Sequence, residues 1–229
     1  MKNRNIIMNK FLLLLIFIKG LSAMSQTVSI GNQQWMTKNL DVVKFRNGEE
    51  IPEAKSDEEW RKAGERKEPA WCYYDNSRNP GSIGVELGKL YNFYAVTDPR
   101  GIAPVGFHVP TVAEWSELIE YIGGDLVSGK ILKSTQYWTT SGAFYNFTTN
   151  NLMITNGNGT DDFGFTALPG GRRHGEGNFG LYKEYGFWWS CSGHSLNYAR
   201  RICLKYNYYS SAINYCEKDY GLSIRCVKD

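Results

Sequence analysis

The chain has 229 residues, of which 42% are hydrophobic and 14% aromatic, and its formal net charge is +3. Residues 1–25 hold four basic and no acidic residues, so residues 26–229 keep 22 of the 26 Lys and Arg against 23 Asp and Glu, a net charge of −1. This balance gives no support to a nucleic-acid or anionic-membrane partner. The length permits one sizeable hydrophobic core.

Residues 1–25 are predicted to be a cleavable export signal. Basic residues precede an unbroken apolar run at residues 11–18, and small residues up to Ser25 permit cleavage before Gln26. An uncleaved membrane anchor is the alternative, but this run is far shorter than the roughly 20 residues that a membrane-spanning helix needs. We therefore expect residues 26–229 to form a single exported domain, with no transmembrane segment after cleavage.

Short elements are predicted after the signal. Residues 28–36 have the pattern of a hairpin with a central Gly-Asn turn, and an Asn-Gly pair at 47–48 marks another turn. Ser56 and Glu59 have the spacing of a capping box, which predicts a helix from there to about residue 67.

A second capping box, formed by Thr111 and Glu114, predicts the main helix of the chain. The apolar residues after it fall at i, i+3, i+4 and i+7, which is the stripe of a helix with one buried face. They are Trp115, Leu118, Ile119 and Ile122. Two glycines at 123–124 end this helix, and a short helix is predicted over residues 125–133.

The second half of the chain is predicted to consist of short strands. Residues 139–162 are polar and rich in Asn, Gly and Thr, which indicates a long exposed loop or a loose hairpin. Strands are predicted at residues 70–74, 163–168, 186–191, 198–206, 211–217 and 222–227. Helices that come first and an antiparallel sheet that comes later predict an α+β fold.

Five cysteines lie in the exported part, and disulfides are the default expectation there. Their spacing contains no CxxC pair, so neither a zinc ribbon nor a thioredoxin-type site is predicted. The pairing is open from sequence alone. We expect Cys72 to pair with Cys226, which would tie an early segment to the last strand, and Cys191 to pair with Cys203 across neighbouring strands.

Three strings resemble the formylglycine-generating-enzyme superfamily. They are HVPTVAEW at residues 108–115, LPGGR at 168–172 and YGLSIRCV at 220–227. The resemblance implies a C-type-lectin-like fold, in which two main helices pack on a small twisted antiparallel sheet with long loops.

A larger set of strings resembles the Fibrobacter succinogenes major paralogous domain, an exported bacterial family. The strings are GNQQWMTKNL at residues 31–40, PAWCYY at 69–74, GKLYNFYA at 88–95, GFHVP at 106–110, FTALPGGR at 165–172, WWS at 188–190 and SIRC at 223–226. The family is defined by its scaffold, so the resemblance implies a fold without implying a reaction.

No catalytic constellation is predicted. The oxidase branch of the superfamily binds copper through a close cysteine pair after its Gly-Gly strand, and residues 170–177 contain no cysteine. Glu114, Glu117 and Glu120 are predicted to lie on a solvated helix face. Ser190 and Ser192 stand near His194, and the sequence offers no orienting acid for a triad. We expect that the protein is not an enzyme.

Calcium is the one cofactor that the sequence permits. The run NGNGTDD at residues 156–162 offers hard oxygen ligands at Asn158, Asp161 and Asp162, with glycines for tight turns. The same composition is ordinary in turns, so a plain loop is the alternative. The C-type lectins hold calcium with different strings, and none of these occurs here.

A binding or interaction module is the predicted function, at the bacterial surface or secreted, with a glycan or a surface protein as ligand. Aromatic and polar side chains in turn-rich segments commonly hold sugars or peptides. The candidate ligand-binding residues are Trp138, Tyr145, Arg172, Arg173, His174, Tyr206 and Tyr208. The remaining tryptophans on strands or the apolar helix face are predicted to be core, namely Trp35, Trp71, Trp115, Trp188 and Trp189. A structural surface component without a small ligand is the alternative.

Overall fold

The computed structural model describes residues 27–79, 82–140, 143–146, 151–154 and 156–229. These ranges combine short helices with small antiparallel sheets, which agrees with the predicted α+β class. No helix in this part of the chain is long and apolar enough to cross a membrane. The predicted signal segment, residues 1–25, lies outside the described residues.

The helices are short, and two of them begin at the predicted caps. They are α1 at Asp57–Arg66, α2 at Ile83–Glu86, α3 at Phe93–Val96, α4 at Val112–Tyr121 and α5 at Asp125–Leu132. The hydroxyl of Thr111 accepts a hydrogen bond from the amide of Glu114, and the Glu114 carboxylate accepts from the amide of Thr111, so the predicted capping box is complete. Ser56 caps α1 in the same way, but Glu59 accepts from the amide of Lys55, so only half of that box forms.

The strands that the structure describes form five sheets, of which two have three or more strands and three have two. The strands are β1 at Thr27–Ile30, β2 at Gln33–Met36, β3 at Trp71–Cys72, β4 at Leu90–Tyr91, β5 at Phe107–His108, β6 at Ala143–Asn146, β7 at Asn151–Ile154, β8 at Arg172–Arg173, β9 at Phe179–Gly180, β10 at Tyr185–Gly193, β11 at Tyr198–Lys205, β12 at Ser211–Glu217 and β13 at Val227–Lys228. The four-stranded sheet has the order β1-β2-β13-β5, and the three-stranded sheet has the order β10-β11-β12. The predicted hairpin is β1–β2, and β6–β7 forms a hairpin inside the polar segment.

Two predicted strands are not formed as expected. Residues 163–168 make only an isolated bridge at Ala167, because Thr166 has a left-handed φ of 54° that a strand cannot contain. Residues 222–227 contain regular strand only from Val227, and the bridges of Leu222 and Ser223 join other segments. The segment after β3 also leaves the strand conformation early, at a 3-10 turn of Tyr74–Asn76.

The sheet β10-β11-β12 separates two parts of the core. Ile202 and Leu204 of β11 pack with Trp115 of α4 on one side, whereas Ala199 packs with Phe187 and Trp189 on the other. The tryptophans predicted as core are each at most 6% exposed. Replacing a buried ring of this kind with Ala typically costs about 3–5 kcal/mol, so these side chains account for a large share of the stability.

Four cations are buried among the residues that the structure describes. They are Lys89, Lys133, Arg173 and Arg225. Arg173 donates to the backbone carbonyls of Gly177 and Ala54, and it pairs with Asp57 at 3.1 Å. Lys133 donates to three carbonyls at 3.1 to 3.2 Å, those of Lys205, Tyr206 and Tyr208. Burial lowers the pKa of Lys133 to about 8, and the carbonyls favour its charged form.

The five cysteines are unpaired, so the two predicted disulfides are wrong for this structure. Cys72 packs in the cluster around Trp60, whereas Cys226 packs in a different cluster. Cys203 lies opposite Phe187 in the β10–β11 register, and Cys191 falls where that register shifts. The thiols of each predicted pair are therefore not brought together.

Candidate functional site

Two of the predicted ligand-binding residues are buried and serve the scaffold. Trp138 is 3% exposed, and its indole nitrogen donates to the carbonyl of Ala167 at 3.0 Å. Arg173 is completely buried among its carbonyl partners and Asp57. Both were predicted from the polar sequence around them, and both predictions are wrong because distant segments cover these side chains.

The other predicted residues do not form one site. Arg172 and His174 lie near Tyr220, and His174 contacts its hydroxyl at 3.2 Å. Burial lowers the pKa of His174, with Arg172 adding to the effect. Tyr206 packs against the core, whereas Tyr208 is 51% exposed at the end of β11. The backbone of Tyr145 pairs with Leu152 in β6–β7, and its side chain lies outside the described part.

Two of the three residues proposed as calcium ligands accept hydrogen bonds from residues outside their loop. The side chain of Asn158 accepts a hydrogen bond from the amide of Trp138 at 3.1 Å. Asp161 accepts from the amide and the hydroxyl of Thr166 at 2.6 and 2.8 Å. Asp162 is exposed. Within the described ranges no group of three or more His, Cys, Asp or Glu is placed to hold a metal ion, so calcium stays a prediction from sequence.

The residues that suggested catalysis have structural partners. The hydroxyl of Ser190 accepts from the amide of Ser192, and the hydroxyl of Ser192 accepts from the amide of Val112. His194 stacks on Tyr215 at 4.3 Å between ring centroids. Glu114 is not simply solvated, because its second carboxylate oxygen contacts His108 at 2.6 Å.

A cleft of about 630 Å³ opens where three distant segments meet. The segments are residues 37–41, 85–88 and 164–168, and Tyr137 completes the wall. Polar groups come from Thr37, Lys38, Asn39, Asp41, Glu86 and Thr166, and apolar surface comes from Val85, Tyr137 and Leu168. A concave site with apolar surface and a few polar groups is the usual form of a small-ligand site.

The backbone around the cleft adopts left-handed conformations that side chains disfavour. Thr166 has a φ of 54° and Tyr137 a φ of 76°. A left-handed β-branched residue is unusual and costs free energy unless its surroundings hold it. Asp161 holds the amide and hydroxyl of Thr166, while Arg225 donates to the carbonyl of Thr166 at 3.2 Å. Strained residues of this kind often mark functional sites.

Two carboxylates of the cleft are fixed by neighbouring groups. Asp41 pairs with Lys89, whose Nζ also donates a hydrogen bond to the hydroxyl oxygen of Tyr73 at 2.9 Å. The side chain of Lys89 is 3% exposed and that of Asp41 50%, so the carboxylate still faces solvent. Glu86 hydrogen-bonds to Tyr137, which raises the pKa of the Tyr137 hydroxyl. Tyr137 itself is 40% exposed.

Asn39 fixes the floor of the cleft. Its amide nitrogen donates to the carbonyl of Leu87 at 2.8 Å, and its oxygen accepts from Trp188 and Arg225. Gly88 has a φ of 81°, and a Cβ there would lie 3.0 Å from the Cβ of Asn39. Only glycine permits this close approach without strain. The floor is therefore preorganised by Asn39 and Gly88, which line the cleft and are held by contacts outside it.

The arrangement can accept hydrogen bonds from hydroxyl groups and offer a ring to an apolar ligand face. Sequence reasoning missed this site, because its residues are separated by up to about 130 positions in the chain. The sequence did contain one signal for this cleft. Three of the strings that carry the family resemblance, around Asn39, Gly88 and Thr166, meet at this cleft.

The fold and the cleft define an α+β protein with a mixed polar and apolar site built from loops. The chain belongs to the Fibrobacter succinogenes major domain family, whose model matches residues 28–228. This match confirms the family resemblance inferred from the strings. Comparison with curated proteins and with solved structures gave no match.

Proposed function

We propose that the protein is an exported bacterial binding module that holds a neutral glycan in the cleft beside Tyr137. The observation that carries the proposal is the shared lining of one cavity by Asp41, Glu86 and the half-exposed ring of Tyr137. Carboxylates accept hydrogen bonds from sugar hydroxyls, and an aromatic ring packs against the apolar face of a sugar. Lys38 and the Lys89 pair offset the charges of Asp41 and Glu86, so the cleft has no strong net charge, which suits a neutral ligand.

The proposal includes the wider fold and the absence of catalysis. What supports a C-type-lectin-like fold is the resemblance of the three strings together with few helices, small antiparallel sheets and long connections. What supports a non-enzymatic role is the missing cysteine pair. Cys203 lies opposite Ala212 and Cys216 opposite Ala199, so these two thiols are four register positions apart.

The test begins with a glycan array probed with the secreted wild-type protein, followed by calorimetric titration of the best neutral glycan. Glu86→Gln and Tyr137→Gly should each weaken binding at least tenfold. Glycine suits the φ of 76° at position 137, so that variant removes the ring without adding backbone strain. The control is Tyr121→Ala, because Tyr121 is 59% exposed and lies outside the cleft. Alanine is used there in place of glycine because the backbone at position 121 is not left-handed.

Unchanged binding by both cleft variants would overturn this site. The alternative functions have their own readouts. Capture of a surface protein that still binds Tyr137→Gly would favour a protein ligand elsewhere on the molecule. An empty array together with self-assembly in sedimentation would favour a structural surface component.

A further inference from the structure

The sheet β10-β11-β12 has one side that is only partly covered by the core. Alternation along β11 places Arg201, Cys203 and Lys205 on this side. Their register partners on β12 include Asn214 and Ala212, which are both exposed. Towards the β12 edge this side of the sheet is therefore open to solvent.

Cations and aromatic rings alternate on this side of the sheet, over β10 and β11. The Arg201 guanidinium lies 4.3 Å from the ring centroid of Phe187, and Tyr185 stacks on Phe187 at 5.3 Å. The ammonium of Lys205 lies 5.4 Å from the Tyr185 ring and 5.1 Å from the Tyr208 ring. We name this surface the cation–ring face, and its residues are Arg172, Tyr185, Arg201, Lys205 and Tyr208, with the buried ring of Phe187 beneath them.

The positive charge of the cation–ring face is not neutralised by ion pairs. Throughout the described ranges, the salt bridges within 4.0 Å include none made by Arg172, Arg201 or Lys205. Glu217 and Asp219 lie close enough to act on Tyr220 electrostatically, but neither pairs with an arginine of the face.

The two arginines also keep unused hydrogen-bond donors. Nε of Arg172 and both Nε and Nη1 of Arg201 are buried without a hydrogen-bond partner among the described residues. Leaving such donors unsatisfied costs free energy. Guanidinium groups pair well with carboxylates because their donors match the two oxygens.

We infer that the cation–ring face binds a polysaccharide of uronic acids. Each uronic acid unit carries a carboxylate for Arg172 or Lys205 and an apolar ring face for Tyr185 or Tyr208, and Arg201 adds positive charge below them. An acidic peptide offers carboxylates but no sugar rings, so it would contact the cations of the face and not its aromatic rings. This surface is separate from the cleft beside Tyr137, and neither proposal depends on the other.

The experiment is titration of the secreted wild-type protein with polygalacturonate and alginate in 50 mM and 300 mM NaCl. Binding is expected for both polymers and should weaken at the higher salt, because exposed charges are screened. Fully methyl-esterified polygalacturonate should not bind. Arg172→Gln and Lys205→Gln should each weaken binding at least tenfold, while Lys44→Gln, at an exposed lysine outside the face, should leave it unchanged.

Several outcomes overturn the inference. They are equal binding of the acid and its methyl ester, no binding of either uronate polymer, or full binding by Arg172→Gln and Lys205→Gln. Equal binding of poly-glutamate or a single-stranded oligonucleotide also overturns it, because the face would then select charge alone. Urea unfolding of each variant checks that it folds, and Tyr208→Ala gives a second, uncharged test at an exposed position.

Discussion

Arg225 donates two hydrogen bonds to the same oxygen of Asn39, from Nε at 3.2 Å and from Nη2 at 2.9 Å. Arg225 is completely buried, and burial lowers its pKa to about 9, which still leaves it charged at neutral pH. The same Asn39 oxygen accepts from the indole of Trp188. One amide side chain therefore satisfies donors from two distant segments.

Asn39→Ala should destabilise the protein by about 3 kcal/mol, because it leaves the indole N–H of Trp188 without its acceptor and the buried Arg225 with backbone carbonyls alone. Urea unfolding followed by tryptophan fluorescence measures the change in the free energy of unfolding. Lys38→Ala is the matched control, since Lys38 is the exposed neighbour and its loss should cost under about 0.5 kcal/mol. Equal effects of the two variants would contradict this role of Asn39.

Gly88→Ala should destabilise more than Gly48→Ala. Both glycines have a left-handed φ, 81° and 91°, so both variants carry the strain of a side chain there, about 1 kcal/mol. A Cβ at position 88 also meets Asn39, whereas nothing lies within 4 Å of a Cβ at position 48. The difference in their unfolding free energies measures the contact. If Gly48→Ala lowers the free energy of unfolding as much as Gly88→Ala or more, the contact between position 88 and Asn39 does not constrain the residue at 88.

The stability of the protein should depend on pH through His108. Burial alone would lower the pKa of His108, but its hydrogen bonds to Asp229 and Glu114 raise it above the ordinary value. The charged imidazole therefore makes its full contribution to the free energy of unfolding below about pH 6.5. This contribution is lost as the pH rises through the raised pKa of His108. The pKa of Glu114 is lowered, so its own contribution persists until more acidic pH.

His108→Gln should therefore cost about 0.5–1 kcal/mol at pH 5.5 and less at pH 8.5, a small effect because the pair is partly exposed. Thermal unfolding at the two pH values measures it. Asp229→Asn should reduce the same pH dependence by removing one of the two carboxylates. A loss in His108→Gln that does not change with pH would show that packing, and not charge, is responsible.

The cysteine thiols should all react once the protein is unfolded. Alkylation in denaturant without reductant, followed by intact-mass measurement, should add five labels, because the five cysteines are unpaired. In the folded protein Cys72, Cys216 and Cys226 should react slowly, since burial raises the pKa of each thiol to about 12. Four missing labels would instead reveal two disulfides.

The sequence was sufficient where the controlling contacts are local. The caps at Ser56 and Thr111 join groups three residues apart, so the spacing alone predicts them. The hairpin β1–β2 depends on a turn between adjacent strands, and the periodicity of α4 reports its buried face. The α+β class follows from the order of such elements.

Prediction failed where a distant residue decides the conformation. Thr166 leaves the strand conformation, and its carbonyl accepts a hydrogen bond from Arg225, which is 59 positions away. Arg172 and Arg173 are neighbours in sequence, and only the partners of Arg173 across the fold determine which one is buried. The cleft depends on the meeting of three segments, and no local pattern specifies that meeting.

The buried cations have a consequence for how the chain comes apart. Lys133, Arg173 and Arg225 donate to carbonyls in connections between elements, while many strands here contain only two to four residues. Hydrogen bonds to buried cations thereby hold irregular segments to the interior, as strand pairing holds the sheets. Hydrogen exchange should therefore find slowly exchanging amides in connections such as residues 165–167, and unfolding should release loops and sheets together in one cooperative step.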